Sequence, residues 1–278
     1  MSKKTKIWLV GAAACILVGC IVFGTVMISL DWDFLKLSTN KYQENTYAYN
    51  DNIDSIKVDI DTAGLEFIIS DGEKVTVSCY EQQDAPHKVF VRDGTLFITK
   101  PEKEWYESIG INFEKTKITL HLPKKEYDDL FIESSTGDVK IKSLQANNID
   151  IRLSTGSIQL DEVICEQKIS TKVSTGLVKM VNTSGKVITS SGSTGDAIFE
   201  KVIAYEDLSV TRSTGDIKLD LCDAPKIYAE TSTGDIKGNF LTEKSFSAHT
   251  DTGRVSVPSG QTGGECKLIT DTGDIIIK

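Results

Sequence analysis

A short motif, Ser/Asp-Thr-Gly-x-apolar, recurs eight times, with its glycines at Gly137, Gly156, Gly176, Gly195, Gly215, Gly234, Gly253 and Gly273. Every step between them is 19 or 20 residues. A repeat this short cannot bury an apolar face alone, so neighbouring repeats must stack on one another. Alignment on the glycine gives the columns. Seven residues before it stand Leu130, Ile149, Ile169, Ile188, Leu208, Ile227, Phe246 and Cys266. Two after it stand Val139, Ile158, Val178, Ala197, Ile217, Ile236, Val255 and Ile275, and the position four after is apolar from Ile141 to Ile277 except at Gly238. Within each arm the apolar positions alternate, as in a strand with one buried face.

The two arms are out of phase across the glycine. A Thr-Gly corner lets both arms keep their apolar side inward while the chain bends, and glycine reaches positive φ there without steric cost. Antiparallel hairpins fit less well, because the Asn-Gly and Asp-Gly turns they prefer are missing at these sites. The expected fold is all-β: a parallel β-solenoid whose coils lie about 4.8 Å apart, with eight regular coils over residues 129–278. Residues 53–128 read as a less regular β region closing the N-terminal end of the stack. Within it, Asp61-Thr62-Ala63-Gly64-Leu65 resembles the motif with one residue added. A loop from Pro101 to Glu114 carries Trp105 and Tyr106, which would either bind sugar or peptide or fold over the end of the core.

The N-terminus is of another kind. Ile7 to Leu30 is a run of 24 residues without a charge, preceded by Lys3, Lys4 and Lys6. As a helix it would be roughly 36 Å long, enough for a ~30 Å hydrocarbon layer. The expected organisation is a cytoplasmic tail (1–6), a transmembrane helix (7–30), a polar stalk with scattered aromatics (31–52) and an ectodomain outside the cell membrane. Two other readings share that address: a cleaved signal peptide, and a lipoprotein with Leu17-Val18-Gly19-Cys20 as its lipobox and Cys20 as the lipidated residue. The whole chain carries a net charge of −9, and without the three lysines of residues 1–30 it carries −12. So acidic an ectodomain is a poor partner for nucleic acid or anionic headgroups.

Asp138, Asp196, Asp216, Asp235 and Asp274 share one outward column, with Lys140, Lys218 and Lys237 two residues later. These charges are expected to offset one another. A calcium ladder is disfavoured, because the Gly-Gly-x-Gly-x-Asp pattern of calcium rolls is missing. Cys79, Cys165, Cys222 and Cys266 show no metal-ligand spacing and read as buried thiols without disulfides. His87, His121 and His249 fall in unrelated contexts, and the Ser-Thr pairs recur as corner chemistry. No catalytic, cofactor-binding or metal site is therefore expected. Ile275, Ile276 and Ile277 follow the last motif glycine and are expected to form an open edge, available to a partner strand or for self-association.

Ser135-Thr136-Gly137-Asp138-Val139, Ser213-Thr214-Gly215-Asp216-Ile217 and Ser232-Thr233-Gly234-Asp235-Ile236, with Leu120-His121-Leu122-Pro123 before the first regular coil, carry a resemblance to a known family. From about Ile53 to Lys278 the chain resembles the bacterial membrane-anchored "putative adhesin" family of unknown function, whose members join an N-terminal membrane helix to S-T-G-D repeats. The resemblance implies surface exposure and binding, to a cell-wall polymer or an envelope protein, and it brings no catalytic residues. The alternative reading is a stiff scaffold or accessory in an envelope-stress system, the setting in which relatives of the family are often found. A polysaccharide-acting enzyme is the remote alternative among solenoid folds.

Overall fold

The computed structural model describes residues 2–33, 41–101, 116–259 and 262–278. Helix α1 spans Lys3–Ser29, with Ser2 Oγ accepting the Thr5 amide at its N-terminus. It is long and apolar enough to cross a membrane, and Met27 is its one buried residue.

Alternating apolar residues give strands from residue 42 onward. The first seven are β1 (Tyr42–Tyr49), β2 (Ser55–Thr62), β3 (Gly64–Ser70), β4 (Val75–Gln82), β5 (Lys88–Arg92), β6 (Thr95–Thr99) and β7 (Lys117–Pro123). After them each coil is a long strand, a Thr-Gly corner and a short strand. The pairs are β8 (Glu126–Thr136) with β9 (Val139–Lys142), β10 (Gln145–Thr155) with β11 (Ile158–Asp161), and β12 (Ile164–Thr175) with β13 (Val178–Val181). Next come β14 (Ser184–Thr194) with β15 (Ala197–Glu200), β16 (Ile203–Thr214) with β17 (Ile217–Cys222), and β18 (Lys226–Thr233) with β19 (Ile236–Phe240). The last are β20 (Lys244–Thr252) with β21 (Val255–Ser256), and β22 (Gly264–Thr272) with β23 (Ile275–Ile277).

Long strands pair only with long strands and short with short, all parallel and with the motif columns in register. Leu130, Ile149 and Ile169 lie opposite one another, as do Val139, Ile158 and Val178. The two sheets enclose one continuous apolar core. The fold is the parallel β-solenoid expected from the repeat, preceded by one apolar helix. Ala63 occupies the glycine position of the first rung, because Thr62 pairs with Thr136 and Gly137 packs against the Ala63 carbonyl.

Three expectations need correction. Residues 42–49, expected in the stalk, form β1, antiparallel to β4; Tyr47 and Tyr49 pack on the core and the Tyr49 hydroxyl donates to the Val89 carbonyl at 2.9 Å. The amphipathic tyrosines have an apolar body to bury, which a solvated stalk would waste. Residues 34–40 of that stalk, and Trp105 and Tyr106, lie outside the described residues. The N-terminal region is also not a plain continuation of the parallel stack: β1, β4 and β7 run antiparallel, and so do β5 and β6. The β5–β6 turn is Asp93-Gly94, with φ of 50° and 72°, the residues and signs that a two-residue type I′ hairpin demands.

The third correction concerns the open edge. Ile275, Ile276 and Ile277 are not an edge: β23 lies between β19 and β21, and β22 between β18 and β20. Ile275 and Ile277 are buried. The outermost rung is β20 and β21, which precede β22 in the chain.

Candidate functional site

The motif corner is the most regular surface feature of the molecule. At Gly176, φ is 144°, and an added Cβ would lie 1.8 Å from the Gly156 carbonyl oxygen. The same close approach repeats from Gly137 through Gly234 to Gly273 and then to Gly253, which confirms the rung order at the C-terminal end. The glycines let successive corners stack carbonyl on Cα, a spacing no side chain permits.

Beside this spine the aspartates have a structural task. The Asp138 Oδ1 accepts the Ser157 amide at 2.8 Å, Asp196 that of Asp216 at 2.9 Å, and Asp216 that of Asp235 at 2.8 Å. Asp235 accepts from Asp274 at 2.7 Å, and Asp274 from Arg254 at 2.8 Å. Each carboxylate thus fastens the next rung's backbone, which offsets the repulsion between stacked charges. The lysine columns help unevenly. Lys237 pairs with Asp235 at 2.6 Å, whereas Lys218 pairs with Asp220 at 2.7 Å and not with Asp216. Lys237 and the Asp274 amide hold the Asp235 carboxyl below its ordinary value, and Arg254 does the same for Asp274. Among the described residues no group of three or more His, Cys, Asp or Glu is placed to hold a metal ion.

Next to the carboxylates runs a ladder of exposed threonines, from Thr136 through Thr155, Thr175, Thr194, Thr214 and Thr233 to Thr272 and Thr252. Their in-register pairing puts one hydroxyl on each rung, about 4.8 Å apart. Serines precede the first six, and all of these are exposed as well. At the N-terminal end the corner opens into a cavity of about 910 Å³ lined by Thr62, Glu66, Lys117, Thr136, Asp138 and Thr155, with Pro101 and Thr116 also on its wall.

Glu81 and His87, also on that wall, form a buried pair that the sequence pattern did not reveal. The Glu81 Oε2 accepts the His87 amide at 2.7 Å and lies 2.5 Å from its Nδ1, and the Asn45 Nδ2 donates to Oε1 at 2.6 Å. Burial pushes the Glu81 carboxyl up, but the His87 and Asn45 hydrogen bonds outweigh it and leave the group below its ordinary 4.5. A depressed carboxyl adds stability above its unfolded value, and that stability is lost as pH falls through the folded value. Amide protection of β1 and β4 should therefore fall in wild type below pH 4.5. In Glu81→Gln the protection should already be lower by roughly 2–3 kcal/mol at neutral pH and flat across the acid window. A Glu81→Gln profile that overlays wild type would refute this role.

Arg212 was equally unforeseen. It stands three residues before Gly215, an inward position, and is 4% exposed. Its Nη2 donates to Ser190 Oγ at 3.0 Å and its Nη1 to the Thr211 carbonyl at 2.7 Å, while Nε has no partner among the described residues. Burial pushes its pKa down to about 10, against the pull of Asp196. Gly192 on the adjacent rung makes the room, since a Cβ there would sit 3.3 Å from the guanidinium. Cys79, Cys165, Cys222 and Cys266 are buried and unbridged, and burial raises the thiols of Cys79, Cys222 and Cys266 to about 12. His121 lies on β7, away from the pair, and the exposed His249 meets Asp251 at 3.0 Å at the far end of the solenoid.

The family model described as Toastrack DUF4097 matches residues 53–196, just over half of the chain. A crystal structure of a "putative adhesin" from Parabacteroides distasonis is similar over 86% of this chain and 98% of its own, at 15% identity and a TM-score of 0.54. A "putative adhesin" from Parabacteroides merdae aligns over 86% and 97%, at 15% identity and a TM-score of 0.49. A "putative lipid binding protein" from Parabacteroides distasonis aligns over 87% and 98%, at 13% identity and a TM-score of 0.42. At such identities the first of these supports the fold alone. No curated protein matches.

Proposed function

Since the chain belongs to the Toastrack DUF4097 family, we propose that it is a single-pass membrane protein whose solenoid stands outside the cell and binds, without catalysis, an extended hydroxyl-rich polymer of the envelope. The observation that carries the reading is the threonine ladder. Its hydroxyls repeat about every 4.8 Å along the axis, close to the rise of an extended polysaccharide chain, and none donates a hydrogen bond to another side chain or carbonyl among the described residues. A polymer lying along the corner would meet one donor-acceptor per rung, so weak contacts of about 1 kcal/mol each add up. The carboxylates beside them are already engaged by the next rung, which leaves the hydroxyls as the recognition groups. The apolar helix α1, whose first turns carry Lys3, Lys4 and Lys6 ahead of the charge-free run from Ile7, supports anchoring with the solenoid outside. The scattered histidines and the inert thiols support a non-catalytic role.

The test is binding of the full chain, in detergent micelles, to purified cell wall at low and high salt. Replacing Thr155, Thr175, Thr194 and Thr214 by valine keeps β-branched residues in the strands and removes four hydroxyls. Binding should weaken at least ~10-fold and depend little on salt, because neutral hydroxyls carry it. Binding equal to that of wild type would remove the ladder from the reading. Absence of any binding by wild type would favour a stiff spacer or accessory instead.

A further inference from the structure

The rung order at the C-terminal end creates a slot. Its floor is β18 and β19, its roof is β20 and β21, and its occupant is β22 and β23, which come later in the chain than both walls. The residues explain the order. The occupant presents Cys266, Leu268, Ile275 and Ile277, each at most 5% exposed. It also presents Asp274, which receives a backbone bond from the roof and gives one to the floor. The roof offers only the half-buried Phe246 and Ala248 and the exposed Val255, and at the carboxylate position it carries Arg254. Arg254 offers no acceptor to a further rung, and its guanidinium closes the ladder on Asp274 at 2.7 Å. The coil fit to be covered on both sides is inside, and the coil that ends the ladder is outside.

The two walls are fastened to each other without the occupant's strands. Lys244, at the start of the roof, is buried at 3%. Its Nζ pairs with Asp223, just before the floor strand, and donates to the Ala224 carbonyl at 2.9 Å and to the Thr242 hydroxyl at 2.7 Å. The lysine reaches the floor past Gly264, where an added Cβ would lie 3.2 Å from Nζ and 2.7 Å from the Pro225 carbonyl. The Lys244 side chain thus spans the two-rung separation of floor and roof. The occupant joins the roof through residues 257–263, of sequence Val-Pro-Ser-Gly-Gln-Thr-Gly.

We propose that the slot accepts the coil 264–277 of a second copy of this chain, so that two solenoids join by reciprocal exchange of their last coil. An exchanged coil makes the same contacts as the chain's own: Ile227–Cys266–Phe246 and Ile236–Ile275–Val255 keep register, and the Asp235–Asp274–Arg254 relay is unchanged. The exchanged coil keeps its contacts with floor and roof, which makes exchange nearly neutral in contact energy. Floor and roof also precede the occupant in the chain, so both walls are synthesised before the coil that lies between them.

The experiment uses the full chain with the exposed Cys15 and Cys20 changed to serine, leaving the four buried cysteines. One tagged version carries Ser247→Cys and a second, differently tagged, carries Lys267→Cys; both positions are exposed and are register neighbours on β20 and β22. Neighbouring strands are about 4.8 Å apart, within disulfide reach. On co-expression, exchange places one copy's position 247 beside the other copy's 267. It should give a reducible dimer bearing both tags, roughly tenfold above a control pairing Ser247→Cys with the distant, exposed Lys172→Cys. Mixed dimer no more abundant than in the control would overturn the proposal. So would dimers linked only through position 247 on both copies, which would mean that outer rungs meet edge to edge.

Discussion

Gly176→Ala should unfold the middle of the solenoid, with a loss of roughly 4–5 kcal/mol that few single substitutions reach. Two effects act together. The residue holds φ at 144°, where an L side chain is strained, and the added methyl would overlap the Gly156 carbonyl at 1.8 Å. That carbonyl belongs to a stacked corner of the neighbouring rung, so relief needs the rungs to separate. Gly185→Ala is the matched control one coil further along. Its Cβ would meet the Cys165 carbonyl at 3.4 Å, ordinary contact, with no positive φ. Thermal melts followed by far-UV circular dichroism should show a large drop in Tm for the first and a small shift for the second. Equal shifts would contradict the stacked-corner account.

Removal of a whole coil, Ser193 to Arg212, should leave a folded, shorter solenoid, although 20 residues are gone. Each rung contacts its two neighbours, and the deletion joins Gly192 to Ser213 with every column intact. It also takes out Arg212, the buried guanidinium with an orphaned Nε, which removes a desolvation cost. Removal of half as many residues, Ser193 to Val202, deletes a Thr-Gly corner and β15 and puts the remaining strand half a coil out of register with its neighbours. That variant should lose cooperative unfolding and become protease-sensitive, a cost of at least ~4 kcal/mol. Similar stability of the two variants, folded or unfolded, would mean that column matching does not govern the fold.

The regular coils were legible because each column repeats a physical requirement: a glycine where a carbonyl stacks on Cα, and an apolar residue wherever the strand faces inward. The same logic would have flagged Arg212, since it occupies an inward column that also holds Leu153, Val173 and Thr231. The β5–β6 hairpin announced itself in Asp93-Gly94, a signal outside the repeat. The rung inversion was harder to see. All eight motifs fit the same slot in the stack, so spacing cannot say which of the last two coils is outermost. The one local sign was Arg254 at a position where Asp235 and Asp274 supply an acceptor. The Glu81–His87 pair left no periodic trace, because it joins a strand end to the turn after it.

The hydrogen bonds of the solenoid run along its axis from rung to rung, and this has a mechanical consequence. A load applied between the N-terminal end of the solenoid and its far tip would act along those bonds and open them one rung at a time, as a zip opens, not all at once as in sheared strands. Such a body yields at low force, step by step, each step paying out one coil of chain. The first element to give would be the outermost β20–β21 rung, held by bonds on one side and by the Lys244–Asp223 tie. Its departure would leave β22 and β23 as the new boundary with Asp274 still offering its acceptor, so the shortened stack would remain able to take a rung back when the load is released.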